Sequence, residues 1–108
     1  MIIFKHIKRY FIMHFKIENN KIHIYGKKEG NVIYEGNEHL FTFPLDDLDL
    51  EKFLFWAKHK NNRGHKGTIL FLFKETPVLL APEMWKNFIE FLDDYFVEQE
   101  VLKLKKTA

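Results

Sequence analysis

Met13-His14-Phe15-Lys16-Ile17-Glu18-Asn19-Asn20-Lys21-Ile22-His23-Ile24-Tyr25 decides how this chain folds. Two runs of alternating apolar and polar residues flank a central Asn-Asn pair. Strict alternation marks a strand with one buried and one solvated face. Asparagine tolerates positive φ, so Asn19-Asn20 suits a two-residue hairpin turn. Given that turn, Ile17 faces Ile22 and Phe15 faces Ile24 on the buried side. Outside, Glu18 faces Lys21, Lys16 faces His23 and His14 faces Tyr25. A slip of one residue would set apolar against polar side chains throughout, so the pattern specifies its own register.

Downstream, residues 27–31 read as a turn and 32–35 as a third strand. Gly36-Asn37-Glu38 reads as another turn, and 39–43 as a fourth strand stopped by Pro44. Asp46 or Asp47 then caps a helix with Leu50, Phe53, Leu54 and Ala57 at helical spacing. Acids occupy its first turn and Lys58, His59 and Lys60 its last, as the helix dipole favours. Residues 68–73 are apolar at all but the first position, the pattern of a strand covered on both faces, and predict a central place in the sheet. A turn over 74–77 leads to a short strand, Val78-Leu79-Leu80. Pro82 suits the first position of a second helix, whose stripe is Trp85, Phe88, Ile89, Leu92, Tyr95 and Phe96. The expectation is one α+β domain over 1–108: a mainly antiparallel sheet of about five strands, with two helices on one face, in the order β-β-β-β-α-β-β-α. Residues 1–12 form an N-terminal extension if Met13 is the start, and 101–108 read as a basic tail.

Hydrophobic residues make up 46% of the 108, and twelve are Phe, so large flat side chains should dominate the core. That composition excludes intrinsic disorder for most of the chain. Cysteine and serine are both absent, which removes disulfides, thiolate metal sites and Ser or Cys nucleophiles. No apolar run approaches the roughly 20 residues of a membrane span, and the start lacks a small-residue cleavage site. A cytoplasmic location is the expectation. The six His show no metal-binding spacing, and neither metal nor cofactor is expected.

A net charge of +2 hides alternating blocks. Residues 1–34 hold seven Lys/Arg against two acids, and 35–57 six acids against one Lys. Residues 58–74 hold five basic residues and no acid, and 75–100 seven acids against one Lys. If both helices cover one sheet face, the other face carries Lys16, Lys21, His23 and Tyr25. Lys27, Lys28, Arg63, His65 and Lys66 then stand around its rim. Cations for phosphates with rings for bases is the general recipe for single-strand binding. The expected function is therefore a small non-enzymatic nucleic-acid-binding domain with single-stranded DNA or RNA as partner. The plainer reading is that Lys on a solvated strand keeps it soluble and blocks edge pairing. Two alternatives remain. One is a protein-interaction or inhibitor module, with homodimerisation through Leu70 and Leu72 or through Phe41 and Phe43. The other is a ribonuclease-like protein using His59, Arg63, His65 and Tyr34.

Thr76-Pro-Val-Leu-Leu-Ala-Pro-Glu-Met-Trp85, continuing through Leu92, resembles the last strand and helix of the PC4-like single-stranded DNA-binding coactivators. Those end in a strand, a Ser/Thr/Ala-Pro-Glu-type helix start, a Trp and an apolar helical stripe. The family has no helix like 46–60 between its strands. It also carries Lys-Lys-Gly before the last strand, where this chain reads Lys74-Glu75-Thr76-Pro77. The resemblance implies a sheet-based, dimeric single-strand binder.

Overall fold

The computed structural model describes the backbone of residues 14–58 and 65–107, and the side chains of these as far as Gln99. Arg63 and His59, and the expected extension over 1–12, lie outside the described residues. Along the chain run β1 (Phe15–Glu18), β2 (Lys21–Glu29), β3 (Val32–Pro44), a 3-10 turn (Leu45–Asp47), α1 (Leu50–Lys58), β4 (Ile69–Phe73), β5 (Thr76–Leu80) and α2 (Pro82–Thr107). The fold is α+β, with a five-stranded sheet in the order β1-β2-β3-β5-β4.

The β1–β2 hairpin has the register that its sequence dictates: Phe15 opposite Ile24, Lys16 opposite His23, Ile17 opposite Ile22 and Glu18 opposite Lys21. Asn19 and Asn20 take φ of 54° and 60°, the positive pair that matches a tight turn to strand twist. Tyr25 N–H donates to the His14 carbonyl at 2.8 Å and extends the pairing by one step.

The rest of the sheet departs from expectation in three ways. First, β2 continues through Lys27 and Lys28, and the turn tightens to Gly30-Asn31, with Gly30 at φ 61°. Gly36-Asn37-Glu38 is no turn either: Gly26 pairs with Glu38 and Lys27 with Tyr34, so residues 35–37 bulge out of one long β3. Four expected strands before α1 are thus three. Second, the sheet is mixed, because β3 pairs with β5 in parallel, Val32 beside Leu79 and Ile33 beside Leu80. Third, β4 is the last strand in the order rather than a central one. Its outer residues Leu70 and Leu72 are half-buried, and its open edge is masked because the chain leaving β3 returns along it. Leu48 bridges Phe73, Asp49 N–H donates to the Leu72 carbonyl at 2.8 Å, and Lys74 N–H to the Asp47 carbonyl at 2.7 Å. An edge masked by its own chain satisfies the same demand that a neighbouring strand would.

β3 is also bent. Ile33 sits beside Leu80, which pairs with Ile69 at the start of β4, yet the Phe43 ring stacks 4.3 Å from that of Phe73 at its end. The corner falls where Gly26 and Gly36 meet. A β-carbon on Gly36 would lie 2.7 Å from the Gly26 carbonyl carbon, a contact only glycine permits.

One face of the sheet packs on α2. Phe15, Ile24, Ile69, Phe71, Phe73 and Leu80 bury there against Met84, Phe88, Phe91 and Leu92. The Phe88 ring lies 5.2 Å from Phe15 and 4.7 Å from Phe71. Each such ring taken from water contributes about 2–3 kcal/mol before the entropy of ordering it is charged. The expected stripe of α2 is buried through Leu92, with Tyr95 and Phe96 half-buried, and the helical backbone continues through the basic tail to Thr107.

Helix α1 is capped by Asp49, not by Asp46 or Asp47, which belong to the 3-10 turn. Asp49 Oδ1 accepts from Lys52 N–H at 3.2 Å and its carbonyl from Phe53 N–H at 3.1 Å. The helix is rotated from the expected stripe. Phe53 is buried and touches Phe88 and Phe96 of α2, and Trp56 and Ala57 pack beside the core. Leu50 and Leu54 are half exposed.

Candidate nucleic-acid interface

Because directly opposed residues of an antiparallel pair share a face, the buried Phe15, Ile22 and Ile24 assign the other face without ambiguity. Lys16, Lys21, His23 and Tyr25 lie on that outer face, away from α2. Lys27 follows at the next step of β2, opposite Tyr34, which is 40% exposed. Lys28 turns the other way. Its ammonium sits 5.8 Å over the Phe41 ring, at the mouth of a cleft of about 280 Å³ that Ile33, Pro77 and Val78 help to line.

Thr42, opposite His23, joins the outer face. His39 should not, since residues three apart on a regular strand point to opposite sides. A bulge changes this. Ile24 pairs with Phe41 and Tyr25 with His39, leaving Leu40 as the extra residue and setting His39 on the same side as Thr42. His23 Nδ1 then lies 2.9 Å and His39 Nε2 2.7 Å from the single Thr42 Oγ1. The two imidazole rings are 5.7 Å apart, and the Tyr25 ring meets His39 edge-on at 5.3 Å. Lys16, His23, Thr42, His39 and Tyr25 thus form one continuous patch. Expectation from sequence omits His39 and Thr42, although the adjacent apolar pair Leu40-Phe41 is the mark of the broken alternation.

The hydroxyl at the centre has one proton to give and two lone pairs. With both rings neutral, it donates to one nitrogen and accepts N–H from the other. Because the contacting nitrogen is Nδ1 on His23 and Nε2 on His39, the two rings then hold the same tautomer, and of the two nitrogens turned away from Thr42 one is bare and the other an N–H.

The remaining residues scatter. The His65 ring lies 4.9 Å from Trp56 and 5.8 Å from Trp85, in the helical layer, and its Nε2–H donates to the Thr68 carbonyl at 3.3 Å. Lys66 is exposed beside it. His65 and Lys66 are therefore not brought to the patch of Lys16 and His23. Phe41 and Phe43, both half-buried, stack on each other at 5.3 Å, and Phe43 stacks on Phe73.

Charge is sorted only in part. Helix α2 carries Glu83, Glu90, Asp93, Asp94 and Glu98 against Lys86 over residues 82–99. Over residues 14–44, however, four Lys (16, 21, 27, 28) are matched by four Glu (18, 29, 35, 38). Lys16 Nζ lies 3.7 Å from Glu18. Among the described residues, no three His, Asp or Glu are placed to hold a metal ion, and no helix is long and apolar enough to cross a membrane. No family model, curated protein or solved structure matches this chain.

Proposed function

We propose that the outer face of β1–β3 binds single-stranded nucleic acid, with Lys16, Lys21 and Lys27 at phosphates and Tyr25 and the imidazoles as platforms for bases. The observation that carries this reading is the continuous patch Lys16–His23–Thr42–His39–Tyr25, on the sheet face opposite α2. A cation beside rings at strand spacing is the arrangement that sequence-tolerant single-strand binding uses. The resemblance of residues 76–92 to the PC4-like coactivators points the same way. Lys28, which turns to the other side, is not needed for this site, nor are His65, Lys66 and Arg63.

Titration of a labelled oligonucleotide at several salt concentrations tests this. With three lysines at phosphates, log K should fall against log salt with a slope of about −2. Lys21→Ala should make that slope shallower by about 0.7. An oligonucleotide that stays unbound at low ionic strength ends the proposal. A second reading, a protein-interaction module, is favoured by Leu50 and Leu54, which α1 leaves 48% and 53% exposed.

A further inference from the structure

We infer that the His23–Thr42–His39 bridge is a proton-gated anchor for the phosphodiester group of a bound single strand. The inference rests on the proposed function and names the regulation of its central contact. Two observations carry it. At the centre of the patch the nearest lysine, Lys16, lies 3.7 Å from Glu18, so the two imidazoles are the groups whose charge can change how cationic this centre is. Furthermore, Thr42 Oγ1 keeps both hydrogen bonds at every stage of protonation. With neutral rings it donates one bond and accepts the other. With two imidazoliums, it accepts from both through its two lone pairs. Protonation therefore breaks nothing in the patch. It turns the outward bare nitrogen into a second N–H donor and gives the rings one positive charge each.

A phosphodiester has two unesterified oxygens that accept and none that donates. Neutral rings offer it one donor, and the protonated pair offers two charged donors, the stronger kind of hydrogen bond. Proton uptake and phosphate binding consequently reinforce each other, in the range about pH 5–8 where imidazole ordinarily changes charge. Among the described residues, the charged or titratable groups around the pair are Lys16, Glu18 and, just before β1, His14, with Lys21 and Tyr25 from β2 and Glu38 next to His39 on β3. Lys16, opposite His23, is occupied in part by Glu18, which leaves the rings to meet an anion at this point of the strand pair.

Fluorescence anisotropy with labelled oligothymidylate and oligouridylate, at fixed low salt and pH from about 8 down to about 5.5, tests the anchor. Affinity of the full chain should rise by roughly tenfold over that range, as uptake of one proton or more requires. His23→Gln with His39→Gln keeps a hydrogen-bonding side chain at each position but removes the titration. The rise should shrink to about twofold or less. His65→Gln serves as the control, since its ring lies beside Trp56 and Trp85 in the helical layer, and it should keep the full rise. If the double variant retains the wild-type rise, the protons bind elsewhere and the anchor is wrong. Affinity independent of pH overturns the anchor while leaving nucleic-acid binding in place. Failure to bind at any pH in this range removes both.

Discussion

Gly36 and Gly26 touch backbone to backbone at the corner of the β2–β3 ribbon. A β-carbon on Gly36 would meet the Gly26 carbonyl carbon at 2.7 Å and the Lys27 nitrogen at 2.8 Å. Neither atom belongs to a side chain that can swing aside, so relief requires the corner to open. That corner sets where the outer patch lies relative to β4 and β5, which links a packing constraint to the candidate site. Gly36→Ala should therefore destabilise the fold by about 2–3 kcal/mol. Gly30 gives the contrast. Its φ is 61°, but an added β-carbon would have nothing within 4 Å, so Gly30→Ala should cost only about 1 kcal/mol of left-handed strain. Urea denaturation of the two variants checks the order. Equal losses would mean that the bend does not depend on the glycine contact.

Asp49 caps α1, and its two acidic neighbours upstream do not. Asp49→Ala should cost about 1 kcal/mol, the usual worth of an N-cap oxygen. Asp47→Ala removes an ion pair of 3.6 Å to Lys74, whose side chain is 76% exposed, so about 0.5 kcal/mol or less is expected. The Asp47 carbonyl that receives Lys74 N–H survives that substitution. Thermal unfolding of both variants under one buffer separates the roles.

Local pairing was legible in the sequence because it depends on residues a few positions apart. The Asn19-Asn20 hairpin needed only alternation and turn chemistry, and both are written between residues 13 and 25. The α2 stripe through Phe88 and Leu92 was equally plain, since one face of a long helix repeats its signal several times. What stayed hidden was decided by distant contacts. Gly36 resembles a turn residue until Gly26 is placed against it, and residues 35–37 then become a bulge. Parity is the other blind spot. One extra residue at Leu40 moves His39 to the other face, and simple alternation has no place for it. For the site, Lys16, Lys21 and His23 were readable from their hairpin, whereas Thr42 emerged only as the cross-strand partner of His23. The parallel β3–β5 pair has no local signature at all, because its partners are more than forty residues apart.

Rotation of α1 gives a sharp mutational contrast. Phe53 is 1% exposed and its ring approaches Phe88 at 6.0 Å and Phe96 at 5.8 Å. Phe53→Ala should cost about 3–5 kcal/mol, transfer and cavity terms together. Leu54, its neighbour in sequence, is 53% exposed, and Leu54→Ala should cost less than about 1 kcal/mol. Chemical denaturation midpoints report both. A Leu54 penalty as large as that of Phe53 would show that the exposed side of α1 is covered in solution.

Tyr95 supplies a pH prediction with a definite sign. Burial, and secondarily the carboxylate of Glu98, hold its hydroxyl above the ordinary tyrosine value of about 10. The folded chain therefore keeps this proton when the unfolded chain has begun to lose it. Stability from this group is complete below about pH 10 and is lost as pH rises through the folded value. Urea denaturation at about pH 9 and about pH 11 should show a larger loss for wild type than for Tyr95→Phe, which has no proton to release. Glu98→Gln should ionise Tyr95 earlier but leave the burial contribution in force, so its loss should fall between the two. Absorbance titration of the phenolates provides an independent readout, because Tyr95→Phe should remove a component that titrates above the ordinary tyrosine value. Parallel losses in wild type and Tyr95→Phe would place the alkaline sensitivity on another group.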